Sequence, residues 1–478
     1  MPSLPPELIP LILAEFPEDS EFLRQCALVC RSWAYVSRPI SFRTLKVTGN
    51  HLYTVHRASR TFIQLCASPF ETFSKSNVHT LEFCEWPRYV DDPAGQHLVM
   101  NELLEWRSFD GTKTFSSLFP VTKRLSFMGN ISWKSLSRVA SKVLHEEFRT
   151  VTELRLEYIC IGVEDFLSLT HSFPSLQSLE LRFLRQISTT VSETYTPVIE
   201  RPHPTLERII LDNVANVDFI KSLHGAPHLK VLHLEGLTLF RHLVESHELQ
   251  LCITQLMHSA RSTLEEFRSR FYFENPTEID NFLAWLDLTK LCKLRRIDLD
   301  FDLFTEDPAF PLSFCDFFDK LSTSSDTVSS NLEVLSIPSL PKHIQCMDFQ
   351  NFDEILQRPY FSSLRELKCT FTCDFTRKDA AKQIKHGGRQ YFRPDEDSAA
   401  ELDLRERIRD FKATYLPKCE ARGIIFVTDT TYYYCNLPPK LWVKVASAAR
   451  RAVRKIRSRT SGAVGLVADT VRRLVRLG

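Results

Sequence analysis

The stretch FPSLQSLELRFL, residues 173–184, sets leucines at 176, 179 and 181 and so reads L-x-x-L-x-L. The same spacing returns in HPTLERIILDNV at 203–214 (Leu206, Ile209, Leu211), APHLKVLHLEGL at 226–237 (Leu229, Leu232, Leu234) and LCKLRRIDLDFD at 291–302 (Leu294, Ile297, Leu299). SSNLEVLSIPSL at 329–340 (Leu332, Leu335, Ile337) and FSSLRELKCTFT at 361–372 (Leu364, Leu367, Cys369) continue it. VTELRLEYI at 151–159 and STLEEFRSRF at 262–271 are looser copies. The L-x-L core alternates with period two, as a strand with one buried face does. Segments between the copies, such as NVDFIKSLHGAP and TEIDNFLAWLDLTKLCK, carry apolar residues at helical spacing. The middle landmarks 154, 179, 209, 232, 267, 297, 335 and 367 recur about every 30 residues. Strand and helix alternating at a fixed period predict an α/β fold: a stacked, curved solenoid with a parallel sheet.

The copies resemble leucine-rich repeats, whose period is usually ~20–29 residues. They depart from that pattern at one place. The asparagine that normally stands three residues after the last strand leucine is replaced by Leu184, Val214, Leu237, Asp302 and Leu340. Its ladder of side-chain bonds to the loop backbone is therefore expected to be missing, with irregular stacking and variable repeat length. HTLEFCEW (79–86) and TKRLSFMG (122–129) are expected to begin the array, and RGIIFVTD (422–429) to end it after a polar, mobile insertion at about 376–397.

Two segments break the pattern. At the N-terminus, Pro5 and Pro6 suit a first helical turn, and Leu8, Ile9, Ile12, Leu13 and Phe16 follow at helical spacing until Pro17. A second amphipathic helix is expected from Ser20 to Tyr35, with Cys26 and Cys30 on one face. No histidine lies near them and no C-x-x-C occurs, so the thiols read as packing rather than as a metal or redox site. At the C-terminus, residues 439–478 carry 11 Lys/Arg against Asp469 alone. The net charge of the whole chain is only +1, so the body is mildly acidic. Two basic amphipathic helices are expected in this tail, suited to an acidic membrane surface, a nuclear import receptor or nucleic acid.

LPPELIPLILAEFPEDSEFLRQCALVCRSWAYVSRPISFRTLKV (4–47) resembles an F-box of the fungal variety, carried by Leu4-Pro5, Glu7-Leu8, Ile12-Leu13, Phe16, Leu23, Val29-Cys30-Arg31 and Trp33. The resemblance divides the chain into an F-box at 1–45, connecting segment and first irregular repeats at 46–120, a leucine-rich-repeat-like solenoid at 121–435 and the basic tail at 436–478. It implies a non-catalytic adaptor of a Skp–cullin–F-box ubiquitin ligase. Leu4, Pro5, Leu8, Ile12, Leu13, Leu23, Val29 and Trp33 would dock a Skp-type linker protein and, through it, a cullin. The repeats would hold an unknown protein target. A leucine-rich scaffold with a non-degradative F-box is the alternative.

If the strand leucines point inward, their neighbours line the other face. Those neighbours are Arg155, Glu157, Glu180, Arg182, Asp212, His233, Glu235, Arg268, Arg270, Asp298, Asp300 and Lys368, a mixed-charge surface expected to be exposed and to bind the target.

Signals for other functions are missing. With 13 glycines the chain has no G-x-G-x-x-G or Walker-type loop, and no H-E-x-x-H or G-x-S-x-G. No cofactor or metal is expected. The 13 cysteines are scattered among apolar residues, the start lacks a signal-peptide pattern and no apolar run is long enough to span a bilayer. A cytoplasmic or nuclear protein is expected.

Overall fold

A computed structural model describes residues 13, 20–29, 31–49, 78–85, 99–186, 203–214, 216–236, 246–273, 276–303, 313–323, 330–340, 348–376, 380–386, 389–394 and 399–435. The fold is α/β. Its strands are β1 (Thr44–Gly49), β2 (Thr80–Glu85), β3 (Arg124–Ser132), β4 (Glu153–Ile161), β5 (Ser178–Arg182), β6 (Arg185–Gln186), β7 (Arg208–Asp212), β8 (Val231–Glu235), β9 (Glu266–Phe273), β10 (Arg296–Leu303), β11 (Val334–Leu340), β12 (Glu366–Thr376), β13 (Ala380–His386), β14 (Arg389–Pro394) and β15 (Ile425–Cys435). Thirteen of them form one large parallel sheet, in which chain order is spatial order apart from the short β6, which pairs with β4. Two compact units divide the chain: Met1–Ser336 with Glu354–Arg365, and Ile337–Asp353 with Glu366–Gly478.

In the first unit the repeated sequence becomes a repeated joint. The last residue before each strand and the strand's first residue both donate their N–H groups to one carbonyl of the preceding repeat. His79 and Thr80 donate to Arg43, Lys123 and Arg124 to His79, Thr152 and Glu153 to Lys123, and so on to Glu333 and Val334 on Arg295, all at 2.8–3.1 Å. This fixes the register. Leu81, Leu125, Leu154, Leu179, Ile209, Leu232, Phe267, Ile297 and Leu335 lie opposite one another as a single buried ladder. A second ladder runs two residues further along each strand, from Phe83 and Phe127 through Leu181 to Leu299. Ser269 interrupts it, with its hydroxyl fully buried and unbonded. Intervening helices turn apolar stripes onto this core, and Phe166 of the helix Val163–His171 lines one crevice with Leu179 and Leu206. Their starts follow local chemistry: Ser137, Asn216 and Ser246 each accept a backbone N–H of the first turn.

Replacement of the usual asparagine has a structural answer. Leu184 and Val214 are buried, so they extend the core where asparagine would bond the loop. The chain reaches them through a residue in the left-handed region just after each strand's last outward residue: Gly129 (φ 109°), Tyr158 (59°), Phe183 (51°), Asn213 (55°) and Gly236 (100°). That residue resets the alternation: the core resumes at Ile159, Leu184 and Val214, and at Ile131 after Gly129. At Gly129 nothing else fits, because a Cβ would lie 1.9 Å from the Glu85 carbonyl oxygen.

Three expectations are corrected. The sheet begins at Thr44, one strand ahead of HTLEFCEW, which was expected to begin the array. The stretch from Ser20 is two helices, Ser20–Val29 and Arg31–Ser41, not one. The insertion at 376–397 contains the antiparallel hairpin β13–β14, because Gly387-Gly388 separates two strand-forming runs. In the second unit β12 pairs in parallel with β15 over its whole length, and Asp353 accepts the N–H groups of Lys418 and Cys419 at the start of the helix Pro417–Ala421. The basic tail lies outside the described residues.

Candidate interaction surfaces

The N-terminal helix pair has a small core of its own. Leu13, Leu23 and Cys26 are buried, with Trp33, Val36 and Ile40 partly buried against them. Leu13 and Leu23, expected to touch a partner, are buried in this cluster: Leu23 lies on the inward stripe of its helix, and Leu13 packs with it. Val29 does reach the surface, at 66% exposure, and Trp33 is half-buried. Leu4, Pro5, Leu8 and Ile12 lie outside the described residues. On the same two helices the structure adds Leu28 and Tyr35 as exposed apolar residues, each 83% exposed. The signal was available for Leu28, which falls on the opposite side of a helix from Leu23 and Cys26, but not for Val29, which lies one turn from Cys26. Burial pushes the Cys26 thiol up, away from the reactive thiolate, as packing requires; Cys30 lies outside the described residues.

The second surface is the outward face of the sheet in the first unit. Side chains stand there in three rows, each row one residue per strand. The first row includes Arg124, Glu153, Arg208, Glu266 and Arg296. Next comes the row of Arg155, Glu180, His233, Arg268 and Asp298. The last row, toward the strand ends, holds Glu157, Arg182, Asp212, Glu235, Arg270 and Asp300. Hence eleven of the twelve expected residues share one face. Lys368 belongs to the second unit, where it pairs with Glu366 at 3.1 Å.

Ion pairs run over this face both along single strands and from strand to strand. Arg124 reaches Glu153 (3.5 Å) and Glu180 (3.2 Å), Arg155 meets Glu157 (2.5 Å), and Arg182 holds Glu180 (2.5 Å) and Asp212 (3.1 Å). Further along, Arg268 lies between Glu235 (4.0 Å) and Asp298 (3.6 Å), Arg270 meets Asp300 (3.2 Å) and Arg296 meets Asp298 (3.6 Å). His233 Nε2 lies 2.9 Å from Glu266 Oε1, and that hydrogen bond draws the Glu266 carboxyl below its ordinary range. The expectation of a fully exposed surface is corrected at Glu180, Asp212 and His233, which are buried at 9%, 8% and 6% exposure beneath longer neighbours. Burial pushes Asp212 up; Arg182 opposes this and Glu235 adds to it. Arg124, Glu153, Glu266 and Arg296 were missed in the sequence, although counting back two positions from the middle row finds them.

Among the described residues no group of three or more His, Cys, Asp or Glu is placed to hold a metal ion. Cys84, Cys160 and Cys252 are pushed up by burial, which disfavours the thiolate. The crevice beside Phe166 has space for about a single water molecule. No described helix is long and apolar enough to cross a membrane. No family model matches the chain, and no curated protein matches it.

Proposed function

We propose that the chain is the substrate-recognition adaptor of a Skp–cullin–F-box ubiquitin ligase. In this reading the N-terminal helices are an F-box that docks a Skp-type linker. The parallel sheet with its helices is a leucine-rich-repeat-like solenoid that holds a target protein, and other subunits carry the chemistry in the cytoplasm or nucleus. One observation carries the docking step: Leu28, Val29 and Tyr35 stand exposed on helices whose inward stripe is already satisfied. A helix pair serving only to cap its own sheet would be expected to cover such side chains, and large apolar groups left exposed favour a partner. The repeated backbone joint supports the solenoid. The paired but charged sheet face supports a protein target recognised by charge, which governs specificity and encounter rate more than affinity.

The tagged protein, purified from cells under proteasome inhibition, should bring down a Skp-type linker, a cullin and at least one further protein. Leu8→Ala with Ile12→Ala should remove the linker and cullin. Recovery of a linker without any cullin would favour the non-degradative scaffold, and recovery of neither would refute the adaptor.

A further inference from the structure

The left-handed corner is a repeated element of the first unit, yet its residues are not equivalent in cost. Glycine and asparagine adopt this conformation readily, and Gly129, Asn213 and Gly236 do so here. Tyr158 and Phe183 adopt it with bulky aromatic side chains, where it is strained. The fold itself does not demand aromatics at these corners, because the next strand along manages with Asn213. The two rings lie parallel, 4.4 Å between centroids and 4° between planes, and both residues remain partly exposed. They directly follow Glu157 and Arg182 in the outermost row of the charged face. That row has four carboxylates, Glu157, Asp212, Glu235 and Asp300, against two guanidiniums, Arg182 and Arg270. The row at the strand starts has the opposite balance, with Arg124, Arg208 and Arg296 against Glu153 and Glu266.

We infer that the Tyr158–Phe183 pair is a recognition platform for an arginine side chain of a protein partner. The stacked rings offer the aromatic surface on which a planar guanidinium packs, and the carboxylate excess beside them supplies the field that attracts it. A phosphate-bearing ligand would meet repulsion from the same row. Held by the strained backbone before any partner arrives, the rings lose little freedom on binding. This inference rests on the sheet face being the target-binding surface.

The full-length protein is titrated with fluorescein-labelled peptides of alternating arginine and glycine, lysine and glycine, and glutamate and glycine, with anisotropy as the readout. The arginine peptide should bind about tenfold or more tighter than the glutamate peptide, and measurably tighter than the lysine one. Tyr158→Asn with Phe183→Asn keeps residues that accept the corner conformation and should retain the melting temperature within a few degrees. It should weaken the arginine peptide about fivefold or more, while Tyr158→Phe should bind like the wild type. Glu157→Gln with Glu235→Gln, which leaves the rings in place, should also weaken binding. Unchanged affinity in the double asparagine variant, or equal affinity for all three peptides, would overturn the platform. Linker recovery is followed in the same variants. Peptide binding that needs the rings, with no linker captured, would refute the ligase reading alone; linker capture with ring-independent binding would refute the platform alone.

Discussion

At the scale of the residue, Glu85 shows how one position can be costly and still fixed by its surroundings. It closes β2 at 6% exposure, and its Oε1 accepts the Met100 N–H at 3.0 Å. Burial pushes its carboxyl up to about 7, while the N–H groups of Met100 and Val99 pull it back. The folded state therefore holds a proton that the unfolded chain releases near the ordinary carboxylate range. Stability from this group is highest below pH 4.5 and falls as the pH rises toward 7, after which the cost stays constant. Glu85→Gln keeps an acceptor and removes the charge. It should gain on the order of 2–3 kcal/mol above pH 7 and match the wild type near pH 4. Chemical denaturation across that range decides; an unchanged pH slope would show that Glu85 is not the titrating group. Alternation from Leu81 and Phe83 does place Glu85 on the inward face of HTLEFCEW; a charged residue at a strand end gives no sign that it stays there without an ion-pair partner. The charges of the sheet face were legible by the same alternation. Their pairing was not, since it depends on which strand lies next to which.

At the scale of the element, strands and helices were readable wherever their period was long enough. L-x-x-L-x-L placed β5, β7, β8, β10 and β11, and apolar residues at helical spacing placed the helices between them. Less legible were features that break a period. Tyr158 and Phe183 have no left-handed signature, so the corners could not be anticipated from them. The hairpin β13–β14 was taken for a polar insertion because its strands carry lysine, arginine and glutamine, though Gly387-Gly388 is a turn signal. The break between the helices Ser20–Val29 and Arg31–Ser41 has no proline or glycine to announce it. Asp353 is an element-scale contact of the same kind, since Leu416 gives the helix Pro417–Ala421 no side-chain cap of its own. Asp353 is 2% exposed and accepts Lys418 N–H at 2.8 Å and Cys419 N–H at 3.0 Å. Asp353→Ala leaves those donors without their carboxylate and should cost about 2–3 kcal/mol in denaturant unfolding; Asp353→Asn should recover part of it. An alanine variant as stable as the wild type would mean that this contact adds nothing to the second unit.

At the scale of the whole molecule, the proposed adaptor needs the sheet to supply a surface and the helix pair to supply an attachment. Of the residues assigned to the same contact, Val29 is exposed, whereas Leu13 and Leu23 are buried in the module's own core. That exchange is physical: two short helices reach a stable packing only by spending their strongest apolar stripe on each other. The residues left over, Leu28, Val29 and Tyr35, are those on which the adaptor account depends. Leu28→Asp with Val29→Asp changes only exposed positions and should leave the fold intact. The most direct measurement is a calorimetric titration of the purified full-length protein with a purified Skp-type linker. A dissociation constant of about 1 μM or tighter is expected, weakened about a hundredfold or more in the double aspartate variant at unchanged melting temperature. No binding by the wild type, or equal binding by the variant, would contradict the account.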